Sequence, residues 1–300
     1  MNLSPATPLL AVPNVSEGRD RGVVDAIGRA LAAAHVVRLL DTHADPDHHR
    51  SVFTLAGTQG ELSTAVLAGA RVAVGCIDVM HGSLARERGE HPHVGALDVA
   101  PIVYIDIAQR GAACAEALVL SHEIGELGVP VLLYGQLAQG RPRADLRRGG
   151  VSGLAARLSN GELRPDFGPP RLHPTAGATL VAAREPLIAF NLELAAPASV
   201  QDARRIAALI REGGAQGLPG LRAIGVELRS DGIAQVSTNV ERPLEAPLRY
   251  VVEAVARHAD VARVELVGLA PRAALDHFPA EIPWRGGDPE ARLIENALGF

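Results

Sequence analysis

Apolar and polar residues along the chain fall into two rhythms, and the order in which they alternate predicts the elements. "PLLAVPNV" (8–15) reads as a strand, and "RDRGVVDAIGRALAAA" (19–34) sets Val23, Val24, Ile27 and Leu31 on one helical face. Strands "VVRLLDT" (36–42) and "RSVFTLAG" (50–57) flank the polar connection "HADPDHH". A helix over about 60–75 and a strand "PIVYIDI" (101–107) complete a β-α-β-β-α-β order. Helix "AACAEALVLSHEIGEL" (112–127), stopped by Gly128, feeds one more strand, "VPVLLYG" (129–135). Periodicity is then lost over 136–176, where "QGRPRADLRRGG" and "RPDFGPPRLHPTAG" have loop composition. A loop of that length in a compact chain is expected to be functional or a crossover between domains.

The second half repeats the rhythm without repeating the sequence. "ATLVAAREPLIAFNLEL" (178–194) reads as extended, and Ser199 with Asp202 marks a capped start for a helix over 200–212. Strands "AIGVELR" (223–229) and "IAQVSTN" (233–239) are joined by "SDG", a hairpin signal. Helix "APLRYVVEAVARHA" (246–259) and strand "RVELVGL" (263–269) close the set. The expected fold class is α/β (α+β), with two subdomains, 1–177 and 178–300, each a ferredoxin-like βαββαβ mixed sheet covered by helices. A ligand groove is expected between them, because binding sites favour such seams.

Composition narrows the class. The 300 residues are 47% hydrophobic and 21% charged, with material for aliphatic cores. Net charge is −5, and no long basic run suggests nucleic acid or a membrane surface. Cys76 and Cys114 lie in Ala-rich helical stretches and are expected to be buried free thiols. The N-terminal stretch has neither a basic start nor a long apolar segment, so a cytoplasmic protein is expected.

Four motifs carry candidate chemistry. In "RERGEHPHVGALD" (86–98), Pro92 stiffens the chain after His91, while Gly89 and Gly95 allow close backbone approach. An imidazole held there can move a proton near neutral pH, with Glu90 or Asp98 to orient it; a surface loop of hydrogen-bonded histidines is the competing reading. "DTHADPDHHR" (41–50) offers His43, Asp45, Asp47, His48 and His49 as possible metal ligands beside His91 and His93, but matches no metal spacing and suits a turn equally. "PNVSEGRD" (13–20) leads into the first helix, either as an anion site or as a turn capped by Ser16. "AQVSTN" puts Gln235, Ser237 and Asn239 on one strand face, towards a ligand edge or water. Arg141, Arg143, Arg147, Arg148 and Arg171 are available to carboxylates or to solvent alone.

Taken in order, "VPNVSEGRD", "DHHRSVFTLAG", "GEHPHVGALDV", "VPVLLYG", "PDFGPP", "GATLVAAREPLIAFNLEL", "AIGVELRSDGIAQVSTN" and "ELVGLAP" resemble glutamate formiminotransferase, also called glutamate formimidoyltransferase, over residues 9–276. The resemblance implies transfer of the formimino group from N-formimino-L-glutamate to N5 of tetrahydrofolate, a step of histidine degradation and one-carbon metabolism. It implies tetrahydrofolate as co-substrate, no metal, small-molecule partners and a homodimer. Vertebrate relatives fuse this unit to a cyclodeaminase, an activity not expected of these 300 residues.

Carried over motif by motif, the family's catalytic histidine is His91. Arg50 corresponds to an arginine beside the groove, and Asp41 and Asp45 are the carboxylates near it. The folate segment corresponds to Gly168, Pro169, Pro170, Arg171, Leu172, His173, Pro174, Thr175, Ala176 and Gly177, with His43, Asn14, Glu17 and Asn239 as further binding residues. Three positions depart from the family. His43 stands where an acid is found, His49 where an asparagine precedes the arginine, and Ala176 where an aromatic precedes "GAT". These departures bear on substrate choice, and they leave two competitors: a metal-dependent hydrolase of formimino- or formylglutamate, and a folate-binding protein without turnover.

Overall fold

Pro13 has no backbone N–H, so the first apolar run cannot hold an unbroken ladder. In the computed structural model, which describes residues 8–33, 37–81, 93–228, 232–243 and 245–299, that run is two short strands, β1 (Leu9–Ala11) and β2 (Asn14–Val15). The chain continues through α1 (Arg21–Ala32), the hairpin β3 (Arg38–Asp45) and β4 (Arg50–Gly57), α2 (Glu61–Cys76) and β5 (Leu97–Val103). Both β1 and β2 lie between β4 and β5, antiparallel to each. The spatial order β3, β4, β1 with β2, β5 is that of a ferredoxin-like unit.

Local chemistry explains the helix limits. The Asp20 side chain accepts from the N–H groups of Gly22 and Val23 and so starts α1, which buries Val24, Ile27 and Leu31. Helix α2 has only Gly60 at its cap position and no side-chain cap of its own. Glu116 of α3 (Arg110–Glu126) supplies one from outside: its two carboxylate oxygens accept from Gly60 N at 2.5 Å and Ser63 N at 2.6 Å. That carboxylate, 2% exposed, satisfies two otherwise orphaned donors and ties the two helices together.

Two expectations for the first half are corrected. The strand expected at 101–107 lies four residues earlier, at 97–103, so "ALDV" belongs to the sheet and Asp106 caps a short 3-10 turn outside it. The presumed loop 136–176 contains two helices, α4 (Arg143–Arg147) and α5 (Gly150–Ser159). Their Leu146, Leu154 and Leu158 join Leu132, Leu180 and Val99 in a core distinct from the one that α1, α2 and α3 help to form. Two parallel strands, β6 (Val131–Leu133) and β7 (Thr179–Arg184), extend the sheet beyond β5 in the order β5, β7, β6.

The stretch 178–194 is thus two strands in two sheets. β7 completes the first compact unit, which runs to Glu185, and the second begins at Pro186. The second unit holds β8 (Ile188–Leu194), α6 (Val200–Ile210), β9 (Leu221–Leu228), β10 (Ile233–Val240), α7 (Leu248–Ala256), β11 (Val261–Val267) and the short α8 (Ile294–Leu298). Its sheet is antiparallel in the order β11, β8, β10, β9, again ferredoxin-like. The Ser199–Asp202 capping box is present at the start of α6. Phe190 in its core meets Phe278 edge-on and Trp284 at a tilt, and the last two, partly buried, have ring centroids 4.6 Å apart.

Cys76, expected to be buried, is exposed at the end of α2, while Cys114 is half-buried; both are free thiols. No helix among the described residues is long and apolar enough to cross a membrane.

Candidate functional site

Gly18 lets the "VSEGRD" turn lie directly on the β3–β4 turn. A Cβ there would sit 2.1 Å from the Asp45 carbonyl oxygen and 2.6 Å from the Arg50 nitrogen, so no side chain is tolerated. The contact is sewn by Ser51 Oγ donating to the Glu17 carbonyl at 2.6 Å and Arg19 Nε donating to the Pro46 carbonyl at 2.9 Å. Glu17, 9% exposed, accepts the N–H groups of Arg19 and Asp20 at 2.7 and 3.0 Å. The start of α1 is therefore served by the chain's own carboxylates, and Ser16 is not the cap; its hydroxyl donates to the Gly95 carbonyl at 2.7 Å.

His49 explains one departure from the family pattern. Its φ is +50°, in the left-handed region that asparagine and histidine enter more readily than most residues. Its Nδ1 accepts from Gly18 N–H at 3.2 Å and lies 3.4 Å from a Glu17 oxygen. One nitrogen cannot accept from the amide and donate to the carboxylate at once. The contact with the amide is the shorter of the two.

Beside this turn lies a buried charge network. Arg50 donates from Nε and Nη2 to Asn14 Oδ1 at 2.9 and 2.7 Å, and from Nη1 to Asp98 Oδ2 at 3.0 Å. Arg147 of α4 donates to that same Asp98 oxygen, while Val94 N–H donates to the other at 2.8 Å. Asp98 is fully buried. Burial alone would raise its carboxyl pKa, but Arg147 and Arg50 beside it, with the Val94 N–H, hold it below the usual carboxylate range. Burial also lowers the guanidinium of Arg147, to about 9, against the pull of Asp98, so it stays cationic at neutral pH. Arg50 is lowered for the same reason.

On β3, Asp41, His43 and Asp45 alternate with Thr42 and Ala44, so the three share one face of a strand instead of a loop. Asp45 lies opposite Arg50 in the hairpin. Its Oδ1 accepts from Asp47 N at 2.8 Å and His48 N at 2.9 Å, and its Oδ2 meets His48 Nδ1 at 2.7 Å. Burial opposes ionisation, but the His48 contacts outweigh it and bring the carboxyl to about 2. The acid that the sequence offered to a ligand is thus also the residue that forms the turn.

The segment Gly168–Gly177 is built as a braced loop. Gly168, with φ +78°, sits against the Val129 carbonyl. His173 N donates to the Gly177 carbonyl at 2.9 Å, and His173 Nδ1 accepts from Thr175 N and Ala176 N at 3.3 and 3.0 Å. Pro170, Arg171 and Pro174 are exposed, Pro169, Leu172 and Thr175 half-buried, and Ala176 and Gly177 buried. Ala176 is part of the first core. Gly95 and Gly177 form an isolated bridge, flanked by Ala96 N to Ala176 O at 2.8 Å and Ala178 N to Val94 O at 3.0 Å. A Cβ on Gly95 would lie 1.8 Å from the Ala178 carbonyl, so this crossing of two motif segments requires glycine.

His91 and Glu90 lie outside the described residues, as does most of the loop before them. In the second unit, Gln235, Ser237 and Asn239 share one face of β10, where Gln235 pairs with Glu193 and Ser237 with Asn191 of β8. Glu193 is held by Arg263 and Arg285, and both amide atoms of the fully buried Gln235 lack a hydrogen-bond partner among the described residues. Asn239 is half-buried. Sequence reasoning named Arg147 only among loop arginines and Asp98 only as an orienter for His91; it missed their pairing. The available signal was an acid enclosed by apolar residues in "ALDVAPIV".

Comparison with known proteins adds a second line. The model of the formiminotransferase domain N-terminal subdomain matches residues 9–184, and that of the formiminotransferase domain matches 189–278. The chain is 36% identical to a glutamate formimidoyltransferase of Streptococcus pyogenes serotype M1, over 96% of this chain and 97% of that protein. It is 34% identical to one of Thermoplasma acidophilum, over 96% of each. It is also 38% identical to the formimidoyltransferase-cyclodeaminase of Gallus gallus, over 88% of this chain but about half (50%) of that longer protein. Among solved structures, the likeness to pitrilysin has a TM-score of 0.19 at 11% identity, over 85% of this chain and 34% of that one, and bears on nothing here.

Proposed function

The chain belongs to the formiminotransferase family in both of its halves, and from that premise we propose that it transfers the formimidoyl group of N-formimidoyl-L-glutamate to N5 of tetrahydrofolate. The observation that carries the reading is the convergence of four motif segments in the first unit. Asn14 and Glu17, the His49–Arg50 turn, Asp98 and the Gly95–Gly177 crossing are joined by hydrogen bonds or backbone contacts that a plain surface loop would not need.

The reaction asks the protein to deprotonate an attacking secondary amine, steady a tetrahedral carbon and return a proton to the departing glutamate nitrogen. His91 shuttles both protons, a contribution of roughly 10² to 10⁴ in rate for general acid–base catalysis. Asp41 and Asp45 face the cationic amidine; Asp45, at about 2, is ionised throughout the physiological range. Arg50, fixed through Asn14 and Asp98, gives the site positive charge for substrate carboxylates. The braced segment 168–177 holds the folate, with His43, Asn14 and Glu17 contributing polar contacts. On the same reading the enzyme is a cytoplasmic homodimer and uses no metal.

The test is an assay of purified protein with tetrahydrofolate and N-formimidoyl-L-glutamate, following glutamate release and the modified folate together. Both products are expected, in equal amounts, only with folate present, after metal removal as before it, and at least about 100-fold more slowly in His91→Ala. Glutamate release without folate would replace the transferase by a hydrolase. Folate binding without either product would leave a binding protein.

A further inference from the structure

Three guanidiniums and one carboxylate meet in the interior of the first unit. Arg50, Arg143 and Arg147 act electrostatically on one another, and the acid shared by Arg50 and Arg147 is Asp98. Buried charge is tolerated when it is compensated, and among the described residues Asp98 is the one acid seen to pair with these three guanidiniums. Two hydrogen-bonding atoms in the same place have no partner among the described residues: Arg147 Nε and the Tyr134 hydroxyl. Their side chains are nearly inaccessible, Arg147 at 9% and Tyr134 at 7% exposure. Tyr134 acts on both buried guanidiniums, and Arg143 has its Cζ 6.0 Å from the Tyr134 ring centroid. Arg143 is half-buried and, among the described residues, makes no ion pair.

Unsatisfied buried donors together with clustered guanidiniums describe a place prepared for an anion. A carboxylate fits the donor set: two planar oxygens for guanidinium edges and a phenol to give the third hydrogen bond. We propose that Arg143, Arg147 Nε and the Tyr134 hydroxyl form a carboxylate-binding corner for a glutamyl group. Arg50 and Asp98 position this corner, while Arg143 is its specificity residue. The proposal rests on the reading of the chain as a glutamate formimidoyltransferase. It deepens that reading, because the amino-acid substrate and the tail of folate both carry glutamyl carboxylates.

The experiment titrates the full chain by calorimetry with L-glutamate and, separately, with tetrahydrofolate monoglutamate, for wild type, Arg143→Met, Arg143→Lys and Tyr134→Phe, alongside KM and kcat. Arg143→Met keeps the aliphatic volume and breaks no ion pair with a described residue, so a folded variant is expected. Loss of one guanidinium–carboxylate pair should weaken one ligand by roughly 30-fold, with Arg143→Lys and Tyr134→Phe in between, and should raise KM far more than it lowers kcat. If L-glutamate is the ligand weakened, the corner holds the amino-acid substrate; if only the folate is weakened, it holds the folate tail. Variants that bind both ligands as wild type does, or a wild type that binds neither, overturn the proposal. A wild type that binds both, loses affinity with Arg143→Met and transfers nothing would keep the corner and remove the transferase reading instead.

Discussion

Replacing Asp98 with asparagine removes the acid that Arg50 and Arg147 share while keeping its shape. The Arg50 nitrogen is 3.0 Å from the Asp98 oxygen, and the two side chains are 11% and 0% exposed, so solvent screens the pair little. At an effective dielectric of 20, unit charges 3 Å apart attract by about 5 kcal/mol before the cost of desolvating them is counted. Desolvation offsets much of that gain for the intact pair. Removing one partner is different, because the other charges stay buried; such losses are about 3–5 kcal/mol. Asp98→Asn should therefore lose about 3 kcal/mol at pH 7 in urea, read by hydrogen exchange in peptides covering 50–57 and 94–103.

Two further readings make that figure specific. Asp98→Asn with Arg147→Met deletes one uncompensated cation and should recover at least about 1 kcal/mol of the loss. The pH sign also follows: the folded Asp98 carboxyl lies below the usual range, so its stabilisation is complete above the unfolded value of about 4 and is lost as pH falls through the folded one. Wild type and Asp98→Asn should thus converge below about pH 4. A loss under about 1 kcal/mol at pH 7, or a double variant no better than the single, would refute the account of Asp98 as the charge that makes two buried arginines tolerable.

Two further outcomes test features around the site. Glu116→Ala should cost about 2 kcal/mol by orphaning the Gly60 and Ser63 donors, with Glu116→Gln recovering about half, as read in the unfolding midpoint; equal stability of Ala and Gln would show that the carboxylate is not the cap. Gly95→Ala places a carbon 1.8 Å from a carbonyl oxygen, so the crossing must separate at a cost of about 2 kcal/mol or more, with faster exchange at Ala96 and Ala178; unchanged exchange would mean the crossing tolerates a side chain.

Sequence pattern made the two βαββαβ orders legible, because helices such as α1 and α6 carry a full apolar face and a capping residue where the chain enters them. It misplaced β5 because Asp98, an acid in a fully buried strand, breaks the apolar signal; what makes the acid acceptable is Arg50 and Arg147, 48 and 49 residues away. It took α4 and α5 for loop because Gly149, Gly150 and Gly153 with several arginines mask the widely spaced Leu146, Leu154 and Leu158. It read β7 and β8 as one run because nothing in "AAREPLIA" says that the chain changes sheet at Glu185–Pro186. At the candidate site, Asn14, Glu17 and Arg50 stand out in the sequence as motif residues, but how they connect is set by the approach of two turns at Gly18, which composition does not encode.

The parallel pairing of β7 between β5 and β6 decides where this protein can be cut. In a four-stranded ferredoxin-like unit, β5 would be an outer strand with one row of amides and carbonyls open to any passing chain. Here β7 covers that row with five registered residues, Leu180 to Arg184, and gives β6 its partner on the other side. A fragment ending at residue 177 would expose the apolar β5, strand β6 from the sheet and invite self-association through the uncovered rim. A fragment carried on to Glu185 keeps the rim closed, so the eight residues 178–185 separate a usable half-protein from an aggregating one.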